Sequence, residues 1–76
     1  MKPNGWQQTN YRERHYRVNG RIVGKLDRPH DETAWTMYVY FRDPGTGLIR
    51  KVIGWRVDEA AARKCVEKAA AKERRV

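Results

Sequence analysis

The side chains in this sequence that could recognise a ligand are mostly basic and aromatic. Tyr38, Tyr40 and Arg42 occupy every second position of the segment 34–42, and Arg50 lies in the segment 48–56. Arginine can contact phosphates or guanine edges with two hydrogen bonds, and tyrosine can stack on a base or donate to a phosphate. Aromatic and arginine pairs also stabilise the solvated face of a sheet. The pattern is therefore compatible with both roles, and charge must help to decide between them.

Residues suited to catalysis are few. His15 and His30 are the two histidines, and neither has nearby groups that would complete a nucleophile, base and orienting residue. Asp31 and Glu32 follow His30, but a metal site normally needs three or four convergent ligands, which favours a solvated loop. Cys65 falls on an apolar helical stripe, where cysteine behaves as a small hydrophobe. The sequence predicts a protein that is not an enzyme and needs no cofactor or metal.

Positive charge is the strongest functional signal. The chain has 76 residues, with 17 Lys and Arg against 9 Asp and Glu, which gives a net charge of +8. Such an excess is typical of a small domain that binds a phosphate backbone. Small domains also keep a net charge of magnitude up to about 8 for solubility. Binding is favoured because the first hairpin adds further arginines: Arg12, Arg14, Arg17 and Arg21. The expected partner is nucleic acid, and duplex DNA in particular.

The composition also limits the class of protein. One cysteine cannot form an internal disulfide, and no group of Cys and His has the spacing of a zinc site. No apolar run approaches the about 18 residues of a membrane span, and the first five residues lack an apolar signal-peptide core. We expect a small cytoplasmic domain that makes no membrane contact.

Two hairpins are predicted to position the basic and aromatic side chains. Asn19-Gly20 suits a type I′ turn, and direct pairing across it places Arg14 opposite Lys25. Residues 1–10 are polar and show no period, so we expect a flexible arm ahead of a single domain at 11–76.

The second hairpin has the clearest pattern. Residues 34–42 alternate between apolar and polar side chains, which is the period of a half-buried strand. Residues 43–47 are typical of a turn, and residues 48–56 return as the next strand. If Arg42 pairs with Leu48, then Trp35 lies opposite Trp55 on an apolar face.

A helix is predicted after this hairpin. Asp58 is a good N-cap, and Glu59 lies in the first turn, where the helix dipole favours negative charge. An apolar stripe follows at helical spacing: Ala62, Cys65, Val66, Ala69 and Ala70. The expected fold is α+β, a small antiparallel β-sheet of two hairpins with one C-terminal α-helix packed on one face. The expected core comprises Trp35, Met37, Val39, Phe41, Ile53, Ala62, Val66 and Ala69.

The predicted nucleic-acid-binding residues come from the exposed sheet face and the first hairpin. Lys51 is included although it is the one charged residue that alternation places on the apolar face. The full set is Arg17, Arg21, Tyr38, Tyr40, Arg42, Arg50 and Lys51.

A family resemblance covers about residues 35–70. Val-Tyr-Phe-Arg-Asp-Pro at 39–44, Gly54-Trp55, and the Glu- and Ala-rich run from Asp58 through Ala70 resemble the AP2/ERF DNA-binding domain. The integrase N-terminal domain is similar in architecture. The resemblance implies three antiparallel strands in the DNA major groove with the helix packed behind them. Arg42, at the strand end, is the one residue that carries over. The family's first strand has no clear counterpart here, and Arg56 stands where an aromatic residue is usual.

Other interpretations stay open. Residues 54–56 and the Ala-rich helix are similar to the C-terminal half of a double-stranded-RNA-binding domain, but Asp58-Glu59 replace its lysine cluster. A protein-interaction module or inhibitor, of the kind encoded by phages and mobile elements, would use the tryptophans and tyrosines as interface anchors. A homodimer could also form through an unpaired edge strand.

Overall fold

The computed structural model describes residues 4–74, with side chains for residues 4–72. A five-stranded antiparallel sheet, in which each strand pairs with the next along the chain, precedes one helix. The elements are β1 (Gly5–Asn10), β2 (Glu13–Val18), β3 (Arg21–Asp27), β4 (Trp35–Asp43), β5 (Gly47–Arg56) and α1 (Glu59–Arg74). The predicted α+β class is confirmed, and the sheet has one strand more than two hairpins provide.

Helix α1 covers one face of the sheet, mainly over β4 and β3. Asp58 caps it as predicted, because its Oδ2 accepts a hydrogen bond from the N–H of Ala61 at 2.9 Å. Small residues on α1 allow close packing against large side chains of the sheet. The buried cluster consists of Leu26, Trp35, Met37, Val39, Ala62 and Val66.

Most of the predicted core is confirmed, with exceptions at its edges. Phe41, Ile53 and Ala69 are only partly buried. Leu26 on β3 is fully buried, although no sequence pattern identified it. Within residues 4–74, no helix combines the length and the apolar character needed to cross a membrane.

The prediction of a flexible arm is wrong for residues 5–10, which form the edge strand β1, while residues 1–3 lie outside the described part. Trp6 supplies the reason. Its ring stacks on Tyr16 with the ring centroids 5.0 Å apart, and its Nε1–H donates to Oε2 of Glu67 at 2.8 Å. The guanidinium of Arg63 also lies 5.5 Å from the ring centroid. Backbone pairing with β2, together with the contacts of this one aromatic residue, thus holds a polar strand against the rest of the sheet and the helix.

A β-bulge changes the pairing of the β2–β3 hairpin. The register shifts next to Tyr16, so Arg14 lies opposite Leu26 and not opposite Lys25. The expected like-charge pair is therefore avoided. Arg14 faces the helix, where its Nε lies 3.3 Å from Oε2 of Glu59.

A second bulge has a larger consequence, because it lies inside the β4–β5 hairpin. The pairing begins at the turn as predicted, but the ladder skips Ile53. Gly54 has a φ of 141°, a backbone conformation that residues with a Cβ rarely adopt. Beyond it, Trp55 pairs with Thr36. The prediction that Trp55 faces Trp35 is therefore wrong, and Trp55 belongs to the opposite face of the sheet.

Candidate nucleic-acid interface

The candidate site is the sheet face opposite α1, which we call the outer face. Alternation along the strands and the observed register define its members. Its charged and aromatic side chains are Glu13, His15, Arg17, Lys25, Asp27, Tyr38, Tyr40, Arg42, Arg50 and Trp55, and its apolar ones include Leu48 and Val52.

The ring of Tyr38 on β4 is contacted by two positively charged side chains of this face. The guanidinium carbon of Arg50 lies 4.6 Å from the centroid of the Tyr38 ring, and Nζ of Lys25 lies 5.6 Å from it. An aromatic ring attracts cations through the negative charge of its faces. Strands β3 and β5 thus each contribute a cation to the same ring, which concentrates positive charge over the middle of the outer face.

Carboxylates occupy one corner of the outer face. Oε1 of Glu13 lies 2.8 Å from Nε2 of His15, and Oε2 of Glu13 lies 3.5 Å from Nζ of Lys25. Asp27 is the cross-strand neighbour of Glu13. Negative charge at this corner disfavours a polyanion there, so the basic part of the face is the half formed by β4 and β5.

Five of the seven predicted site residues lie on the outer face, and four of them are together on β4 and β5: Tyr38, Tyr40, Arg42 and Arg50. Arg17 lies on the same face further across the sheet, but its guanidinium is already engaged. Its Nε donates to Oε1 of Gln7 at 2.8 Å, and one terminal nitrogen donates to the carbonyl of Gly20 at 3.2 Å. Arg17 therefore offers less to a ligand than Arg42 and Arg50 do.

The remaining two predicted residues lie on the helix side of the sheet. Lys51 pairs with Val39, whose side chain is buried beneath α1. Arg21 pairs with Val18 beside the β2–β3 turn. Because Val18 directly follows Arg17 on β2, Arg21 lies on the face opposite to that of Arg17. Both basic side chains are exposed, but the structure does not bring them together with the outer face.

The β4–β5 turn fixes the end of the outer face next to Arg42. Oδ2 of Asp43 accepts hydrogen bonds from the Thr46 hydroxyl at 2.9 Å and from the backbone N–H groups of Thr46 and Gly45 at 2.9 and 3.1 Å. The Thr46 hydroxyl, and then the Thr46 N–H, hold the pKa of Asp43 below its ordinary value, because each bond favours the ionised carboxylate. The turn that carries the strand end is thus ordered by its own side chains.

Trp55 is the outer-face residue that the sequence reasoning missed. Its side chain is 65% exposed, and Val52 and Leu48 on the same strand are each 58% exposed. A signal was present in the sequence, because a glycine inside a strand pattern often marks a bulge. Gly54 was that glycine.

In residues 4–72, no three His, Cys, Asp or Glu side chains converge in a way that could hold a metal ion. Cys65 is partly buried and packs against the core cluster.

No family model, characterised protein or solved structure matches this chain significantly. The resemblances to the AP2/ERF and double-stranded-RNA-binding domains therefore stay predictions.

Proposed function

We propose that this chain is a non-enzymatic domain that binds nucleic acid through its outer face. The observation that supports the proposal is the exposed guanidinium of Arg50, held on the ring of Tyr38 in the part of the sheet that the helix leaves uncovered. Arg42 extends the basic surface along β4. A phosphate backbone laid across this region would release condensed counterions, which is the main source of sequence-independent affinity.

Duplex DNA is the form of nucleic acid that the AP2/ERF resemblance implies. Three consecutive antiparallel strands, β3 to β5, precede a helix that packs behind them, and this order fits the proposal. Arg42, beside the β4–β5 turn, is the residue expected to contact the DNA at the end of its strand.

Arg50 and Lys51 provide a matched test of the proposal. They are neighbours on β5, both are exposed, and they lie on opposite faces of the sheet. Arg50→Ala and Lys51→Ala each remove one positive charge, but only Arg50→Ala removes it from the outer face. We expect Arg50→Ala to weaken binding to a labelled random-sequence duplex in a fluorescence anisotropy titration, and Lys51→Ala to change it little. Equal effects of the two substitutions would contradict binding through the outer face.

The salt dependence measures how many phosphates are contacted. With three or four cations on phosphates, a plot of log K against log salt should have a slope of about −3 to −4 for a duplex. Arg50→Ala should reduce the size of that slope by about 1. If neither DNA nor RNA binds in a salt-dependent manner, the positive charge serves only solubility.

A protein-interaction module, including a homodimer, is the second candidate, and exposed apolar side chains on β5 favour it. Trp55, Val52 and Leu48 are all well exposed on the outer face, and exposed apolar patches commonly mark protein contacts. β5 is also an edge strand of the sheet, although Arg50 and Lys51 oppose edge-to-edge pairing with a second copy. Salt-independent self-association in analytical ultracentrifugation would favour this candidate.

A further inference from the structure

A β-bulge in β5 places Trp55 on the outer face. The ladder between β4 and β5 skips Ile53, and Gly54 adopts a positive φ next to it. Without this bulge, alternation would turn the indole toward the helix side. The outcome is a large aromatic side chain, 65% exposed, on a face whose centre is cationic. Tryptophan is usually well buried, so its exposure here points to a ligand.

The side chains next to Trp55 are suited to a nucleotide. Trp55 pairs with Thr36, and Tyr38 follows two residues further along β4. Two residues of a strand span about 6.7 Å, so the Tyr38 ring and the Arg50 guanidinium above it lie one row of side chains from the indole. A flat apolar surface is thus followed by a fixed positive charge at about the spacing of one nucleotide.

We infer that the outer face binds unpaired nucleobases, with one base stacked on Trp55 and its phosphate directed to Arg50. This inference rests on the proposed function, but it favours single strands over the duplex that the AP2/ERF resemblance implies. Aromatic side chains stack on bases of any sequence, and neighbouring arginines supply contacts to the backbone.

Base pairing decides between single strands and duplexes. In a duplex, the faces of the bases are covered by their neighbours in the stack, and a protein reaches only base edges and phosphates. The exposed indole would then gain little from binding. In a single strand, bases can be splayed out and stacked on aromatic or arginine planes. The aromatic part of the outer face therefore gives single strands an advantage that its cations alone do not.

The test compares two forms of DNA and four proteins. The probes are labelled oligothymidylate of about 12 nucleotides, within the site sizes common for such surfaces, and a duplex of the same length at the same salt concentration. The proteins are wild type, Trp55→Ala, Trp55→Phe and the control Tyr11→Ala, which removes an aromatic residue that is 62% exposed in the β1–β2 turn. Circular dichroism verifies that each variant is folded.

We expect the wild type to bind the single strand more tightly than the duplex. Trp55→Ala should weaken single-strand binding by about 5- to 150-fold, and Trp55→Phe should retain part of it. Tyr11→Ala should leave it unchanged, and duplex binding should be insensitive to all three substitutions. Tighter binding of the duplex, or no effect of Trp55→Ala on the single strand, would overturn the stacking inference while the salt-dependent proposal stands. If neither form binds, both proposals fail.

Discussion

Replacing Gly24 with alanine tests how closely the helix packs on the sheet. Gly24 is buried on β3, where it pairs with Tyr16 and Val39. A Cβ built at this position would lie 2.3 Å from Cγ1 of Val66 on α1 and 3.5 Å from Cβ of Tyr16. Carbon atoms prefer separations of about 3.5–4.0 Å, so Val66 or the whole helix must move by about 1 Å or more.

Two effects of opposite sign determine the size of the change. Adding a methyl group to a well-packed core costs about 1–3 kcal/mol. Alanine also restricts the unfolded chain, which stabilises the folded state by about 0.4–1 kcal/mol when the backbone conformation suits it. Gly24 does not have a positive φ, so this gain applies. We expect a net loss of about 1–2 kcal/mol, with each kcal/mol lowering Tm by about 4–8 °C in a domain of this size.

The double variant Gly24→Ala/Val66→Ala separates the steric clash from other causes. Val66→Ala removes the methyl groups that the new Cβ would meet, and the alanine at position 24 then fills part of the space left behind. We expect the two substitutions to be non-additive, with a favourable coupling energy of at least about 1 kcal/mol in urea denaturation followed by circular dichroism. The control Gly45→Ala, exposed in the β4–β5 turn, should stay within about 1 kcal/mol of the wild type, because the restriction of the unfolded chain offsets the 3.3 Å approach of the new Cβ to Oδ2 of Asp43. An additive pair, or a Gly24→Ala protein as stable as the wild type, would refute the close approach of α1 to β3.

Three further predictions follow from individual contacts. Trp6→Phe removes the hydrogen bond to Glu67 but keeps a ring, so stability should fall by about 0.5–1.5 kcal/mol in thermal denaturation, and Glu67→Gln should then add little. Glu13→Gln removes a carboxylate that pairs with Lys25, so it should strengthen nucleic-acid binding in anisotropy titrations; weaker binding would contradict the proposed face. Because the pKa of Asp43 is lowered by folding, its contribution to stability is present above the unfolded pKa and is lost as pH falls through the folded pKa. An NMR titration should therefore find that pKa below its ordinary value, and Asp43→Asn should make Tm less dependent on pH in the acidic range.

Local patterns in the sequence determined much of this fold. Alternation over β4 identified Trp35, Met37 and Val39 as buried, although Phe41 is only partly so. It also placed Tyr38 and Tyr40 on the outer face. The helix could be predicted from its N-cap at Asp58 and its stripe of small residues, because both depend on near neighbours in the chain. Alternation also assigns Arg50 and Lys51 to opposite faces of the sheet, since adjacent residues of a strand point to opposite faces.

Only the tertiary structure determined that residues 5–10 form strand β1 and that Trp55 lies on the outer face. The hydrogen bond from Trp6 to Glu67 joins residues 61 positions apart, and no local pattern can report a contact of that kind. A period of two specifies the face of a side chain only while the register is continuous. The skipped residue at Ile53 reverses the faces beyond it, so the indole of Trp55 lies outside the core because of how β5 pairs with β4.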